Sequence, residues 1–332
     1  MRAVQFTGYG TISKNVKISE IEKPTINKEE VLIETYASSV NPIDIKVIEG
    51  KLKSISNFNL PTTLGYDVSG IIIDKGENVI NFNVGDEVFL KVNKQGAFSE
   101  FVAVNQRLIN LKPQNITFKE AASLPLVGLT AIQSLRRGRL KAGDKILIHA
   151  GSGGVGSFAI QYAKSIKAYV YTTTSTENVN WVKKLGADKV IDYKTEDYTA
   201  IVQGVDMVLD TLGNQFTKDA FKVIKKGGKV ISLVGPIDKE TVSRMKIGVL
   251  SSLFLAWKRR RITTQIKKKS AYYSLVLMKA NAKQLNEIKK LVESGKVKAT
   301  IDKVFPLSDT LNALLYVKKR HAKGKVIIDI KK

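Results

Sequence analysis

The sequence contains no cysteine, and this absence excludes several classes of protein at once. A disulfide scaffold, a thiolate zinc site, an iron–sulfur cluster and a cysteine nucleophile each require the missing residue. Histidine is scarce as well, with only His149 and His321 among 332 residues. The sequence therefore predicts no metal site, and the lack of cysteine fits the reducing environment of the cytoplasm.

Long apolar runs are also lacking. No stretch approaches the roughly 20 apolar residues that span a bilayer, and the start, MRAVQFTGYG, lacks the charged and then apolar pattern of a secretory signal peptide. We therefore expect a soluble cytoplasmic protein. Its 332 residues, of which 43% are hydrophobic, suffice for a large core and most simply form two domains.

Acidic residues are few relative to basic ones. The 54 Lys and Arg against 30 Asp and Glu give a formal net charge of +24, which attracts nucleic acid, anionic membranes or phosphorylated ligands. Most lysines stand singly or in pairs along amphipathic segments such as 285–298, a pattern typical of a solvated helix face. Nucleic acid is therefore not the expected partner.

Two true basic runs, Lys258–Arg261 and Lys267–Lys269, follow the apolar segment Ile247–Trp257. We interpret the apolar segment as a buried strand or helix that is followed by a solvated basic loop. The alternative is an apolar segment capped by cations that contacts an anionic membrane surface.

A glycine-rich turn lies within Lys145–Gly156, KILIHAGSGGVG. Gly151, Gly153 and Gly156 follow the spacing G-x-G-x-x-G, with an apolar strand pattern before them and a helical pattern at 157–166 after them. In this context the glycines permit a tight turn, a close approach to a diphosphate, and close packing of helix against strand. The sequence predicts a dinucleotide whose phosphates meet the helix N-terminus. The expected contacts are Gly151, Ser152, Gly153, Gly154, Val155 and Gly156.

The pattern along the chain divides into two kinds. Residues 1–122 contain short β segments separated by turn signals, which predicts an all-β, barrel-like unit. From residue 145, strands alternate with helices, which is typical of a doubly wound α/β sheet. The segments after 278 resemble a return to the first unit. We therefore predict one domain from 1–122 with 279–332, and a nucleotide-binding domain at 123–278.

Together the motifs resemble the medium-chain dehydrogenase/reductase superfamily and, within it, the zinc-independent quinone oxidoreductases of the enone or alkenal reductase branch. That resemblance implies a GroES-like β-barrel catalytic domain, a Rossmann domain with a doubly wound parallel sheet, and a homodimer. The motifs that carry it are Asn41-Pro-Ile-Asp44, Leu64-Gly-Tyr-Asp-Val-Ser-Gly70, Val84-Gly-Asp-Glu-Val88, Ala121-Ala-Ser-Leu-Pro125, Gly128-Leu-Thr-Ala131, the glycine turn, Leu185-Gly-Ala-Asp188, Gly227-Gly-Lys-Val230 and His321-Ala-Lys-Gly-Lys325.

The resemblance also implies a reaction. Alcohol dehydrogenases of the superfamily carry a cysteine and a Gly-His-Glu motif for catalytic zinc, whereas this chain has Asn41 and Gly65-Tyr66-Asp67 there. The implied reaction is zinc-free hydride transfer from NADPH, or from NADH, to a quinone or an α,β-unsaturated carbonyl. One-electron quinone reduction is a second enzymatic possibility. A different hypothesis is a nucleotide-binding protein with little catalysis that acts through RNA or an anionic membrane.

Four residues are the catalytic candidates. Lys46 is the expected donor to the substrate carbonyl or to the cofactor, although such a lysine could also be exposed and idle. Asn41 and Asp44 are good turn formers, and in relatives this loop borders the active site. Tyr66 is either a proton donor or, by our preferred interpretation, an aromatic wall.

The end of the second strand, Tyr171–Thr176, bears on the choice of cofactor. It offers hydroxyl groups and lacks the acid that in NAD enzymes usually binds the ribose 2′-hydroxyl, which favours NADPH. Glu177 and Asn178 stand where relatives often carry a cation, so Lys183, Lys184 or the general positive charge of the chain would have to compensate. The remaining cofactor residues that the resemblance implies are Lys46, Thr130, Ser175, Asn178, Tyr193, Gly213, Val234, Gly235 and Lys325.

Overall fold

The computed structural model describes residues 1–53, 58–244 and 249–331. They form two compact units. Unit 1 consists of Met1–Leu129 and the chain from Lys279 onward, and unit 2 consists of Thr130–Met278.

The strands and helices, numbered along the chain, have the following bounds. The strands are β1 (Arg2–Phe6), β2 (Val16–Glu20), β3 (Glu30–Val40), β4 (Thr62–Thr63), β5 (Asp67–Lys75), β6 (Glu87–Lys91), β7 (Phe101–Asn105), β8 (Ile109–Leu111), β9 (Lys145–Ile148), β10 (Tyr169–Thr174), β11 (Lys189–Asp192), β12 (Val205–Asp210), β13 (Ile224–Ser232), β14 (Tyr272–Leu275), β15 (Ile301–Pro306) and β16 (Lys325–Asp329). The α-helices are α1 (Ile12–Asn15), α2 (Pro42–Ile48), α3 (Phe118–Ala122), α4 (Pro125–Arg137), α5 (Gly154–Ser165), α6 (Val179–Lys184), α7 (Tyr198–Ile201), α8 (Gln215–Val223), α9 (Lys239–Arg244), α10 (Val249–Lys269), α11 (Ala282–Glu293) and α12 (Thr310–Lys318).

Unit 1 is built on two sheets. In the smaller sheet, β1 pairs with β2 and with β4. The larger sheet has the order β15-β16-β3-β5-β6-β8, with β7 also paired to β3, and its neighbours are antiparallel except for β15 and β16. Apolar side chains of these strands pack with α2 and α12 into a core that includes the fully buried Phe6, Ile48 and Phe98.

Unit 2 contains one six-stranded sheet in the order β11-β10-β9-β12-β13-β14, and every neighbouring pair is parallel. Counted from the first strand of the unit, this is the 3-2-1-4-5-6 order of dinucleotide-binding sheets. The central strands are apolar and buried, as expected where a parallel sheet is covered on both faces. The prediction of a doubly wound parallel sheet is confirmed.

The basic segment near residue 260 differs from its prediction as a loop. Helix α10 continues through both basic runs to Lys269 without a break. Lysine and arginine are good helix formers, and the helix contains neither glycine nor proline. Ile247 and Gly248, at the start of the predicted apolar segment, lie outside the described residues. Within the described parts of the chain, no helix is both long enough and apolar enough to span a membrane.

The segment that follows Asn41 was predicted as a loop, and this was wrong. Pro42–Ile48 forms helix α2, with Asn41 as the residue before its first turn. Proline is favoured at the first helical position because its fixed φ suits the helix and its missing N–H needs no partner. Asp44 and Lys46 therefore lie on a helix.

Candidate active site

Four parallel strands of unit 2 end side by side, in the order β10, β9, β12 and β13. Predicted cofactor residues follow each end: the glycine turn follows β9, Ser175 and Asn178 follow β10, Gly213 follows β12, and Val234 and Gly235 follow β13. Ligands of open α/β sheets bind at this edge. The sheet therefore brings these predicted residues to one edge.

The glycine turn leaves no space for side chains at two of its glycines. A Cβ on Gly151 would lie 2.2 Å from Thr172 Oγ1, and one on Gly156 would lie 2.2 Å from the carbonyl oxygen of Ala150. Gly153 is different, because its Cβ would meet only the Ala150 oxygen, at 3.4 Å. Gly151 and Gly156 are thus required for packing, whereas Gly153 leaves open space above the turn.

Helix α5 begins at Gly154, directly after Gly153. The first N–H groups of a helix have no intrahelical partner, and they form the positive end of the helix dipole. An anionic diphosphate therefore fits this turn, with Ser152, Gly153, Gly154 and Val155 as the residues that would hold it.

Asp210, at the end of β12, joins the carboxyl ends of β12 and β13. Its Oδ1 accepts from the N–H groups of Leu212 at 3.1 Å and Gly213 at 2.9 Å. Its Oδ2 accepts from the hydroxyls of Thr217 at 2.5 Å and Ser232 at 2.8 Å. The sequence analysis did not identify this residue as functional.

Ser232 extends the same network to the end of β13. Its Oγ accepts from the N–H groups of Val234 at 3.3 Å and Gly235 at 2.8 Å. A Cβ on Gly213 would lie 2.9 Å from Val234 Cγ2, so these two predicted residues are in contact across the strand ends. Asp210 and Ser232 together fix the backbone of three predicted cofactor residues.

His149 is buried beside Asp210 and is not placed to bind a metal. Its Nδ1 lies 3.5 Å from Asp210 Oδ1, and its ring is packed edge-on against Tyr198 and Phe216. Burial raises the pKa of Asp210, but the nearby His149 and the hydrogen bonds from Thr217 and Gly213 outweigh burial and lower this pKa to about 2. Asp210 is therefore a carboxylate at neutral pH.

The end of β10 holds the predicted ribose residues. Asn178 Nδ2 donates to Ser175 Oγ at 3.0 Å, and both side chains are buried. Thr174 Oγ1 and Asn178 Oδ1 are buried without a hydrogen-bond partner among the described residues. Tyr193 is joined to this end by the bond from its N–H to Thr174 O at 3.1 Å, while its side chain is 58% exposed. Unpartnered polar atoms beside an accessible ring fit the adenosine ribose of a dinucleotide.

In unit 1, Asp67 is the centre of a buried polar network. Its Oδ2 accepts from Ser39 Oγ at 2.6 Å and Asn41 Nδ2 at 2.8 Å, and lies 3.4 Å from Lys325 Nζ. Its Oδ1 accepts from the N–H of Leu126 at 2.8 Å, at the start of α4. All these groups satisfy one buried charge, so Asn41 is a hydrogen-bonding residue of this network and not only a turn former.

Lys325 was predicted to bind cofactor, and its ammonium is engaged inside unit 1. Besides Asp67, it donates to Val40 O at 3.1 Å and to Asn41 Oδ1. Burial lowers the pKa of Lys325, whereas Asp67 and Asp44 raise it. The cofactor role of Lys325 stays a prediction, and its three acceptors indicate a structural role.

Asp44 is buried in the first turn of α2. Its Oδ2 accepts from the N–H of Asn41 at 2.8 Å, and its Oδ1 has no hydrogen-bond partner among the described residues. Burial raises the pKa of Asp44 to about 7, against the opposing effects of the Asn41 N–H and Lys325, and with a further upward contribution from Asp67. Asp44 therefore holds a proton in the acidic range and exchanges it near neutral pH.

Tyr66 lies beside these groups, and its side chain is largely buried. Burial raises the pKa of Tyr66, and Asp44 raises it further, so the phenol stays protonated at neutral pH. The ammonium of the buried Lys91 lies 5.0 Å from the centre of its ring. Burial lowers the pKa of Lys91, while Asp67 raises it. Lys91 is a further residue that sequence reasoning missed.

Lys46 occupies the last turn of α2 and is half-buried. Its backbone carbonyl accepts from the N–H of Lys51 at 2.9 Å, whereas its ammonium has no hydrogen bond or ion pair with another described residue. Burial lowers the pKa of Lys46, and the nearby cations Arg320 and Lys51 lower it further. A half-buried ammonium without a protein acceptor is available to an oxygen atom of a ligand.

Thr130, the first residue of unit 2, is buried within α4 and its carbonyl accepts from Ser134 Oγ at 2.7 Å.

The folds and these sites define a nucleotide-dependent dehydrogenase or reductase. The family pattern described as zinc-binding dehydrogenase matches residues 185–328, and the alcohol dehydrogenase GroES-like domain matches residues 27–114. The chain is 35% identical over 340 residues to an NADPH-dependent alkenal/one oxidoreductase, chloroplastic, of Arabidopsis thaliana, covering 99% of this chain and 79% of that protein. It is 33% identical to a 2-methylene-furan-3-one reductase of Solanum lycopersicum, with the same coverage.

Among solved structures, the quinone oxidoreductase from Coxiella burnetii is 33% identical and covers 100% of this chain and 99% of its own, with a TM-score of 0.85. The chain belongs to the zinc-binding dehydrogenase family, in its quinone oxidoreductase group. The expected GroES-like and Rossmann domains are thereby confirmed.

The family name implies zinc, but the residues of this chain do not fit it. Zinc in this class needs cysteine, histidine or carboxylate ligands around an open position. The chain has no cysteine, His149 is enclosed by Tyr198 and Phe216, and His321 is exposed on unit 1. The described residues contain no group of three or more histidine, cysteine and acidic side chains suited to a metal.

Proposed function

We propose that this chain is an NADPH-dependent oxidoreductase that transfers a hydride to the β-carbon of an α,β-unsaturated carbonyl, or to a quinone. The observation that carries the proposal is the glycine turn, with its crowded Gly156 and its open Gly153 at the start of α5. The names of the two plant relatives supply the substrate class, since both act on conjugated carbonyl compounds.

Bound NADPH supplies a hydride, and the protein supplies position and charge. Backbone N–H groups of the first turn of α5 bind the diphosphate. Asp210 and Ser232 hold Gly213, Val234 and Gly235 in fixed positions, so that the strand ends do not rearrange when the cofactor binds.

Hydride addition at the β-carbon moves negative charge to the carbonyl oxygen, and a proton must then reach the α-carbon. A donor aimed at that oxygen is worth about a hundred- to a thousandfold in rate. We assign this role to Lys46, whose ammonium has no protein acceptor among the described residues. Asp44, with a pKa of about 7, and Tyr66 are the acids that can hold the proton.

The alternative of a nucleotide-binding protein with little catalysis is distinguished by one experiment. Oxidation of NADPH and of NADH is followed by the loss of absorbance of the reduced nicotinamide, with a panel of alkenals, enones and quinones as acceptors. We expect NADPH consumption with enones, and a rise in Tm with saturating NADPH, since ligand at 100 times Kd stabilises the folded state by about 2.7 kcal/mol. If neither cofactor is consumed with any acceptor, the enzymatic proposal fails.

Superoxide formed during quinone turnover would indicate one-electron reduction. A cytoplasmic homodimer, and contact of α10 with anionic membranes, remain proposals from the sequence. Sedimentation of the purified chain tests the first, and flotation with anionic vesicles, with residues 258–261 neutralised as the comparison, tests the second.

A further inference from the structure

The end of β10 carries an ion pair between Glu177 and Lys194. Lys194 Nζ lies 3.2 Å from Glu177 Oε2, and both side chains are 51% exposed. Glu177 is the acid that sequence analysis found where relatives carry a cation. Lys194 directly follows Tyr193, whose N–H is bonded to the end of β10. The structure thus restores a cation to this strand end from the neighbouring strand.

Glu177 accepts from groups at the end of β10 that an anionic ligand would also bind. The pKa of Glu177 is lowered to about 2 by its own backbone N–H, by a hydrogen bond from Ser175 and by Lys194. Ser175 in turn accepts from Asn178 Nδ2. The ammonium of Lys194 therefore contacts the carboxylate of Glu177 at the strand end that receives the ribose in this class of sheet.

The exchange of this carboxylate for a phosphate is favourable. An exposed ion pair contributes little to stability, because water solvates both of its charges. A phosphate monoester carries a charge of about −1.5 to −2 near pH 7 and three acceptor oxygens. The phosphate therefore attracts Lys194 more strongly than a single carboxylate does, and the released Glu177 is half-exposed and can turn into solvent.

We propose that Lys194 binds the 2′-phosphate of NADPH and that Glu177 is the internal counter-ion that the phosphate displaces. This inference rests on the proposed function, because it concerns the same cofactor. It makes Lys194 a specificity-determining residue, and it makes Glu177 a competitor that weakens phosphate binding.

The test uses adenosine 2′,5′-bisphosphate and 5′-AMP, which differ only in the 2′-phosphate, and measures Kd by titration calorimetry on the full chain. We expect Lys194→Met to raise the Kd of the bisphosphate by about five- to tenfold and to change the Kd of 5′-AMP by less than twofold. We expect Glu177→Gln to lower the Kd of the bisphosphate by about two- to fivefold. Lys222→Met is the matched control, because Lys222 is an exposed lysine of the same unit that pairs with Asp219 at 2.7 Å.

An unchanged bisphosphate Kd in Lys194→Met overturns the proposal. The proposal is also overturned if Glu177→Gln weakens the binding of 5′-AMP, since Glu177 would then bind the ribose hydroxyl as in NAD enzymes. In either case NADPH oxidation by the wild-type chain leaves the proposed function intact. If the wild-type chain binds neither nucleotide nor NADPH, both proposals fail together.

Discussion

Asp210 Oδ2 lies 2.8 Å from Ser232 Oγ, so one hydrogen bond joins the carboxyl ends of β12 and β13. Both residues are fully buried, and the carboxylate also accepts two backbone N–H groups from the loop that follows it. Removing a buried acceptor leaves its donors unsatisfied, which costs about 1 to 3 kcal/mol for each buried group. This ionised side chain therefore adds to the backbone pairing of the two strand ends, in which the N–H of Leu233 donates to Asp210 O at 2.9 Å.

We expect Asp210→Asn to lower the free energy of unfolding at pH 7 by about 2 kcal/mol, because the fold lowers the pKa of Asp210 from 3.8 to about 2 and so stabilises the carboxylate by about this amount. A pKa that is lowered in the fold stabilises the protein at pH values above the pKa of the unfolded state. This contribution is lost as pH falls from about 4 to about 2. Urea unfolding at pH 7 and pH 3 should show a smaller difference from wild type at the lower pH.

The same variant should weaken the binding of NADPH, because Asn offers one acceptor oxygen where Asp210 uses two to hold Gly213 and Ser232. Asp206→Asn provides the comparison, since Asp206 lies near the other end of β12 and accepts from the N–H of Lys145. We expect Asp206→Asn to leave the Kd of NADPH within twofold. Equal effects of both variants on this Kd would contradict a positioning role for Asp210.

Asp44 should have the opposite dependence on pH. Its pKa is raised to about 7 in the fold, from an ordinary value of 3.8. The fold therefore favours the protonated acid, and its contribution to stability decreases as pH rises from about 4 to about 7. Asp44→Asn keeps the shape and an acceptor for the Asn41 N–H but cannot ionise. We expect the variant to gain stability relative to wild type between pH 5 and pH 8, as measured by urea midpoints. A variant that becomes relatively less stable over this interval would show that the ionised carboxylate stabilises the fold.

The glycine turn allows packing and cofactor binding to be separated. Gly156→Ala places a methyl group 2.2 Å from a backbone oxygen, so we expect a loss of several kcal/mol in stability. Gly153→Ala has 3.4 Å of clearance, so its Tm without ligand should stay near the wild-type value. If the diphosphate approaches the backbone here, the methyl group of Gly153→Ala should raise the Kd of NADPH by at least about tenfold. Wild-type affinity in Gly153→Ala would argue against this position of the diphosphate.

The fold and the glycine turn could be predicted from the sequence because their signals are local. Gly151, Gly153 and Gly156 lie within six positions, and the alternation of strand and helix repeats along unit 2. The network of Asp67 and Lys325 could not be predicted, because 258 positions separate these residues. The same holds for Asp210 with Ser232, and for Glu177 with Lys194, where pairing depends on the order of strands in the sheet.

Helix α2 shows a different reason for an incorrect prediction. Its sequence, PIDIKVI, contains four β-branched residues and only seven positions, so periodicity is weak. The helix is stabilised instead by burial of Ile45, Val47 and Ile48 in the core of unit 1. Tertiary packing of this kind overrides local propensity.

Lys46 provides the most direct test of the proposed chemistry. Lys46→Met keeps the length and apolar stem of the side chain and removes its charge, so we expect kcat/KM for an enone to fall at least about tenfold. In the wild-type chain, activity should decline at alkaline pH as the ammonium loses its proton, at a pH below the ordinary value of 10.5, because burial, Arg320 and Lys51 lower this pKa.

Lys51→Met is the informative comparison. Lys51 is exposed, pairs with Glu49 at 2.6 Å and is one of the two cations that lower the pKa of Lys46. Its removal should leave kcat/KM at pH 7 within about twofold, since the donor itself remains. The alkaline decline should move to higher pH, because one repelling charge is lost. Another group would be the donor to the carbonyl if the alkaline decline in activity occurred at the same pH in Lys51→Met as in wild type. Full activity in Lys46→Met would lead to the same conclusion. Tyr66 would then be the next candidate, because its phenol stays protonated across this range.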